Sequence, residues 1–200
     1  MTSTAEPLDR EQEFRRIIES DPTVAALCAA MRTFDAPDLW LVSGVLFQTV
    51  WNVLDGKPRG HGIRDYDLFY FEPDTSEHAE DRWIKRAAAH FAFADREAQL
   101  RNQARVHLWY PKKFGVPYPR LDCACDGVRQ FLISACMVAV RPQSNGDLEL
   151  FAPVGLDDIF DRVIRPNPLW QGPQRPEYLA KAKRYMQDWP SLTMAGEEAA

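Results

Sequence analysis

The stretch from Leu39 to Phe71 constrains the fold more than any other part of the chain. An apolar run, Leu39-Trp40-Leu41-Val42, breaks at Ser43-Gly44, and a helical pattern follows from Val45 to Leu54. Asp55-Gly56-Lys57-Pro58 ends that helix. Gly60-His61-Gly62-Ile63-Arg64 then forms a loop, and Asp65-Tyr66-Asp67-Leu68-Phe69-Tyr70-Phe71 reads as a second strand. Apolar strands bracketing a helix require a sheet covered by helices, because each strand leaves faces that another layer must bury. Side chains alternate along a strand, so Asp65 and Asp67 share a face. Two ionised carboxylates held together call for a counter-charge, most readily a divalent cation. Oxygen-only ligation of this kind suits Mg²⁺ (or Mn²⁺), which sits on one or two carboxylates and takes its other ligands from water and phosphate. Ser43-Gly44 supplies the phosphate side: free N–H groups at a helix start, with no side chain on Gly44 to block approach. Metal and phosphate together point to nucleotide chemistry.

Elsewhere the periodicity predicts helices over 8–20 and 22–34, the second opened by Asp21-Pro22 as a cap with proline in the first turn. An alanine-rich amphipathic helix is expected from Glu77 to Phe91. Strands are expected around Glu97–Arg101 and Arg105–Tyr110, and a helix from Cys125 to Ile133. Met137–Arg141 and Asp147–Phe151 bracket a hairpin loop. Short helices around Leu156–Val163 and Pro176–Trp189 follow, with a frayed end from Thr193. The expected fold is α/β (α+β): a mixed β-sheet flanked by helices. It forms one domain over 1–192, with a catalytic core at about 10–110, a completion at 111–192, and a disordered tail at 193–200.

A net charge of −5 on 200 residues excludes a global basic stripe, and with it extended wrapping of nucleic acid. It leaves room for a local basic cleft and leans towards a protein or small-molecule acceptor. Cys28, Cys123, Cys125 and Cys136 fit neither a disulfide framework nor a metal knuckle and read as free thiols. The first residues lack the basic and apolar regions of a signal peptide, and no apolar run has membrane-spanning length. The expected setting is the cytoplasm.

A strand, a Ser-Gly turn, a helix and then Asp-x-Asp on the next strand resembles the DNA polymerase β-like nucleotidyltransferase superfamily. Val42-Ser43-Gly44, Gln48 to Asn52, Gly62 to Phe71, Arg101 to Tyr110, Gly155 to Asp158 and Arg165 to Pro168 are similar to a bacterial family of uncharacterised nucleotidyltransferase-like proteins. The resemblance covers roughly residues 10–185. It implies that Ser43 and Gly44 hold the triphosphate of an NTP while Asp65 and Asp67 ligate the metal. It also implies transfer of a nucleoside monophosphate to an acceptor (an RNA end, a protein or a small molecule), with release of pyrophosphate. A third carboxylate is expected just before Arg101, where the chain reads Asp95-Arg96-Glu97-Ala98-Gln99-Leu100. Gln99 sits nearest that position, and Glu97, one step along the same face, is the acid that could substitute for it.

Arg101 and Arg105 are candidates for the triphosphate or for ion pairs that steady the acids. Gln48 and Asn52 share a helix face and reach either the nucleotide or the loop at 60–62. His61 sits between glycines on a loop expected to be mobile. His107 reads as a semi-buried histidine, and Trp40, Trp51, Trp83 and Trp109 as core. Asp157-Asp158 reads as a helix cap. Two readings compete with the transferase: a catalytically degenerate nucleotide-binding regulatory module, favoured by Gln99, and a glycosyltransferase, disfavoured by the strand–Ser-Gly–helix unit.

Overall fold

The computed structural model describes residues 9–170 and 176–195. Helices α1 (Arg10–Ser20) and α2 (Pro22–Met31) come first. The Asp21 carboxylate accepts from the amides of Thr23 and Val24, at 2.9 and 3.1 Å, and Pro22 opens the first turn. Strand β1 (Trp40–Val42), helix α3 (Gly44–Leu54) and strand β2 (Tyr66–Tyr70) follow. Helix α4 (Glu77–His90), capped by Ser76, leads to strand β3 (Ala98–Asn102). Strands β4 (Ala139–Pro142) and β5 (Leu148–Phe151) complete a five-stranded sheet of order β3-β2-β1-β4-β5. The β2–β3 pair is parallel and the other pairs are antiparallel, so the sheet is mixed.

One sheet face carries Leu41, Leu68, Tyr70, Leu100 and Val140 into the main core with α1 to α4. The other carries Trp40, Val42, Phe69 and Ala139 against the short helix α6 (Ala124–Val128). The strand period of two produces this division, and it leaves Asp67 on the second, thinly covered face.

Two expectations are corrected. Arg105–Tyr110 is not a strand: a single 3₁₀ turn (Gln103–Arg105) leads into helix α5 (Val106–Phe114). Asn102 turns the chain, its side chain accepting from the amides of Ala104 and Glu72 and donating to the Glu72 carbonyl. The polar–apolar alternation over Arg105 to Leu108 was too short to separate a strand from a helix, and Val106, Trp109 and Tyr110 have helical spacing. The helix expected at Cys125–Ile133 ends at Val128. There Gly127 packs so closely on Gln103 that a Cβ would lie 2.1 Å from its Oε1.

Helix α7 (Asp157–Phe160), strand β6 (Val163–Ile164), helix α8 (Pro176–Asp188) and strand β7 (Thr193–Met194) finish the described chain. Thr193 and Met194, expected to fray, pair in parallel with Val163 and Ile164. Residues 196–200 of the expected tail lie outside the described residues. Cys28, Cys123, Cys125 and Cys136 are free thiols. Among the described residues no helix is long and apolar enough to cross a membrane.

Candidate active site

Ser43 forms the turn between β1 and α3. Its backbone sits at φ 56° and ψ −111°, a region that side-chain-bearing residues seldom occupy. The Ser43 amide donates to the Val138 carbonyl at 2.8 Å, which holds the turn against the strand beside it. The buried Ser43 side chain makes no capping bond and the Leu46 and Phe47 amides turn back to the Ser43 carbonyl, which leaves the Gly44 and Val45 amides at the positive helix end. A Cβ on Gly44 would come 3.4 Å from Gln48 Nε2, so the turn and the first coil of α3 fit closely. Gln48 is buried, and its Oε1 has no partner among the described residues.

Because β1 and β2 run antiparallel, with Trp40 opposite Phe69 and Leu41 opposite Leu68, the end of β1 lies beside the start of β2. That register brings Ser43 and Gly44 to Asp65 and Asp67. Both acids, the turn and Gln48 line a single cleft of about 480 Å³. Burial first, and then the neighbouring Asp65 charge, raise the Asp67 carboxyl to about 6 against the opposing pull of Lys181 and Arg101. Among the described residues neither aspartate is in an ion pair. Gln99 stands opposite Asp67 in the parallel register and donates from Nε2 to Asp65 Oδ2 at 3.1 Å.

Helix α8 closes the cleft with Lys181 and Arg184, and the loop before β2 adds Arg64. These cations were not anticipated from the sequence; the available signal was two bases three apart on one helix face. The loop itself is pinned. The Asn52 amide donates to the His61 carbonyl at 3.0 Å and accepts from Trp189 Nε1 at 2.9 Å. The ring of His61 bonds the Asp188 carbonyl at 3.0 Å and stands edge-on to Trp189. Gly62, at φ 72°, leaves room for Trp189 alone: a Cβ would lie 2.2 Å from the indole. These contacts tie the loop to α3, to the end of α8 and to the segment that follows it.

The other candidates divide. Glu97 is exposed at the start of β3, with Gln99 Nε2 3.5 Å from its Oε2. Arg101 reaches Gln99 Oε1 at 3.4 Å, on the same face as the acids. Arg105 does not line the cleft. It is buried against α4, bonded to Glu80 and 3.8 Å from Glu77, which is the ion-pair alternative, though with other acids than Asp65 and Glu97. Asp157 pairs with Arg10, and Asp158 with Arg165 and Ser134, all away from the cleft. Trp40 and Trp51 are buried and Trp83 packs on the core, but Trp109 is not core: it lines a separate groove.

Does the site suit a divalent cation? Among the described residues no cluster of three His, Cys, Asp or Glu side chains could hold a metal alone. Two crowded carboxylates that make no ion pair among the described residues, with Arg64, Lys181 and Arg184 lining the same cleft, fit an ion that completes its shell from a phosphate.

A family model described as nucleotidyltransferase matches residues 29–194. The chain belongs to that nucleotidyltransferase family. Membership makes it a transferase that uses nucleoside triphosphates. Its fold matches that of a protein whose NMR structure reveals a CCA-adding enzyme head domain, with TM-score 0.76 and 23% identity over 93% of this chain and 96% of that one. A CCA-adding enzyme solved with CTP matches at TM-score 0.57 and 13% identity, over 96% of this chain and 44% of that enzyme. At these identities the likeness is one of fold. No curated protein matches the chain.

Proposed function

We propose that this nucleotidyltransferase moves a nucleoside monophosphate from an NTP to an acceptor hydroxyl, with a divalent cation (Mg²⁺ or Mn²⁺) on Asp65 and Asp67. The observation that carries the reading is the convergence of both aspartates with the Ser43-Gly44 amide turn in one cleft. The first amides of α3 and the Ser43 hydroxyl bind the β- and γ-phosphates, and Lys181, Arg184 and Arg64 neutralise the remaining charge. The cation, when bound, screens the phosphate charge and lowers the barrier to attack. The acceptor oxygen forms a bond to the α-phosphorus as the α–β bridging P–O bond breaks, and pyrophosphate leaves towards the amide turn. The hydroxyl proton passes to a cleft carboxylate and on to solvent; Glu97, exposed beside Asp65 at the phosphate-turn end, is the more distant acid.

The test is pyrophosphate release and label transfer from labelled NTPs with Mg²⁺ or Mn²⁺. Activity lost in Asp67→Ala supports the reading; no nucleotide binding at millimolar concentration, with wild type and Asp67→Ala alike, overturns it. A second reading, a non-catalytic nucleotide-binding module, is favoured by Gln99 standing opposite Asp67 where an acid is expected. Tight binding without turnover, unchanged in Gln99→Glu, would select it.

A further inference from the structure

Asp67 and Phe69 are two apart on β2 and face the same way, as are Gln99 and Arg101 on β3; the register pairs Asp67 with Gln99 and Phe69 with Arg101. The sheet therefore presents an acid–amide row and, about 7 Å further along, an aromatic–cation row. Phe69 is stacked on Phe131, with centroids 5.6 Å apart and planes 18° apart. It forms the floor of a second groove of about 310 Å³, walled by Val106, Trp109 and Tyr110 of α5. Tyr110 in turn packs on Phe114 and Tyr118, each at 4.5 Å between centroids. Lys181 lines both this groove and the carboxylate cleft and so stands at their boundary.

The phosphate turn lies at the Asp65 end of β2 and the aromatic groove at the Phe69 end, with the carboxylates between them. In-line displacement places the entering oxygen and departing pyrophosphate on opposite sides of the phosphorus. An acceptor consequently enters from the groove. Resting on the proposed donor site, we infer that the groove holds the planar ring of a small-molecule acceptor. That acceptor is an aromatic or heteroaromatic alcohol carrying an anionic group, with its hydroxyl towards Asp67. The rings give it stacking surfaces. Arg101, which is in no ion pair among the described residues, meets the anion at the inner end of the groove. The volume suits one ring system, and a chain charge of −5 disfavours a long polyanion.

The experiment saturates the full chain with Mn²⁺ and a non-hydrolysable NTP and then titrates AMP or CMP as ring-bearing probes, with ribose 5-phosphate as the ringless control. Saturable binding of a nucleoside monophosphate to the NTP-loaded protein is expected. It should weaken roughly tenfold or more in Trp109→Ala, be restored in Trp109→Phe, and leave NTP affinity unchanged in both. Displacement of the probe by NTP, loss of NTP affinity in Trp109→Ala, or equal binding of ribose 5-phosphate overturns the inference. So does a Trp109-dependent single-stranded oligonucleotide that binds over tenfold tighter than the mononucleotide. Failure of the wild type to bind Mn²⁺–NTP at all would instead remove the donor-site reading on which this one stands.

Discussion

Asparagine in place of Asp67 should make the metal-free protein more stable at neutral pH while abolishing its chemistry. The Asp67 carboxyl is raised from 3.8 to about 6 in the fold, chiefly by burial and then by the charge of Asp65. Below pH ~4 the group is protonated in both folded and unfolded chains and costs nothing. As the pH rises, the unfolded chain ionises freely, whereas the folded chain must hold its proton or expose a charge to a poorly solvated cleft. Stability is lost through this window and the loss is complete above the folded value of about 6. A rise of about two pH units at 1.36 kcal/mol each amounts to about 3 kcal/mol. Asparagine is neutral throughout and escapes the loss. Urea denaturation in EDTA at several values between pH 4 and 7 should show the two proteins diverging by that amount, the wild type falling relative to the variant. Titrating groups that do not interact with Asp67 are common to both and cancel in the difference. Mg²⁺ should restore stability to the wild type at neutral pH and leave the variant unmoved. Parallel stability curves across the range would refute the argument that Asp67 is an uncompensated carboxylate.

Two further outcomes follow from the walls of the cleft. Ser43→Gly relieves a backbone at φ 56° and should stabilise the fold by about 1 kcal/mol in thermal or chemical denaturation, yet weaken NTP affinity by removing the hydroxyl. Gly62→Ala forces a Cβ to within 2.2 Å of Trp189 at φ 72° and should destabilise by about 2–4 kcal/mol. It should also lower NTP affinity, since Trp189 is on the segment that follows α8, the helix carrying Lys181 and Arg184; an unchanged affinity would show that α8 is positioned independently of the loop.

Much of the core was legible because its signals are local. Strand alternation placed Asp65 and Asp67 on one face, the Asp21-Pro22 cap opened α2, and α4 begins at Glu77 as its apolar spacing indicated. What escaped depends on contacts distant in sequence. The α5 helix is set by Asn102 bonding back to Glu72 across thirty residues, a contact invisible to any short window. Arg105 was legible as a cation that needs a partner, but its choice of Glu80 over the cleft depends on how α4 docks on β3. The cations of α8 lie more than a hundred residues after the acids they face.

The same contacts explain why a neutral Gln99 can stand beside the acid pair. Its Nε2 donates to Asp65 while its Oε1 accepts from Arg101, so one amide bridges an anion and a cation that would otherwise require direct pairing. A glutamate there would pair with Arg101 and repel Asp65, drawing the guanidinium away from the aromatic groove. The amide keeps Arg101 available at the groove and out of a direct ion pair with the aspartates. This arrangement suits a site in which the metal ion brings positive charge to the aspartates and the acceptor brings negative charge to Arg101.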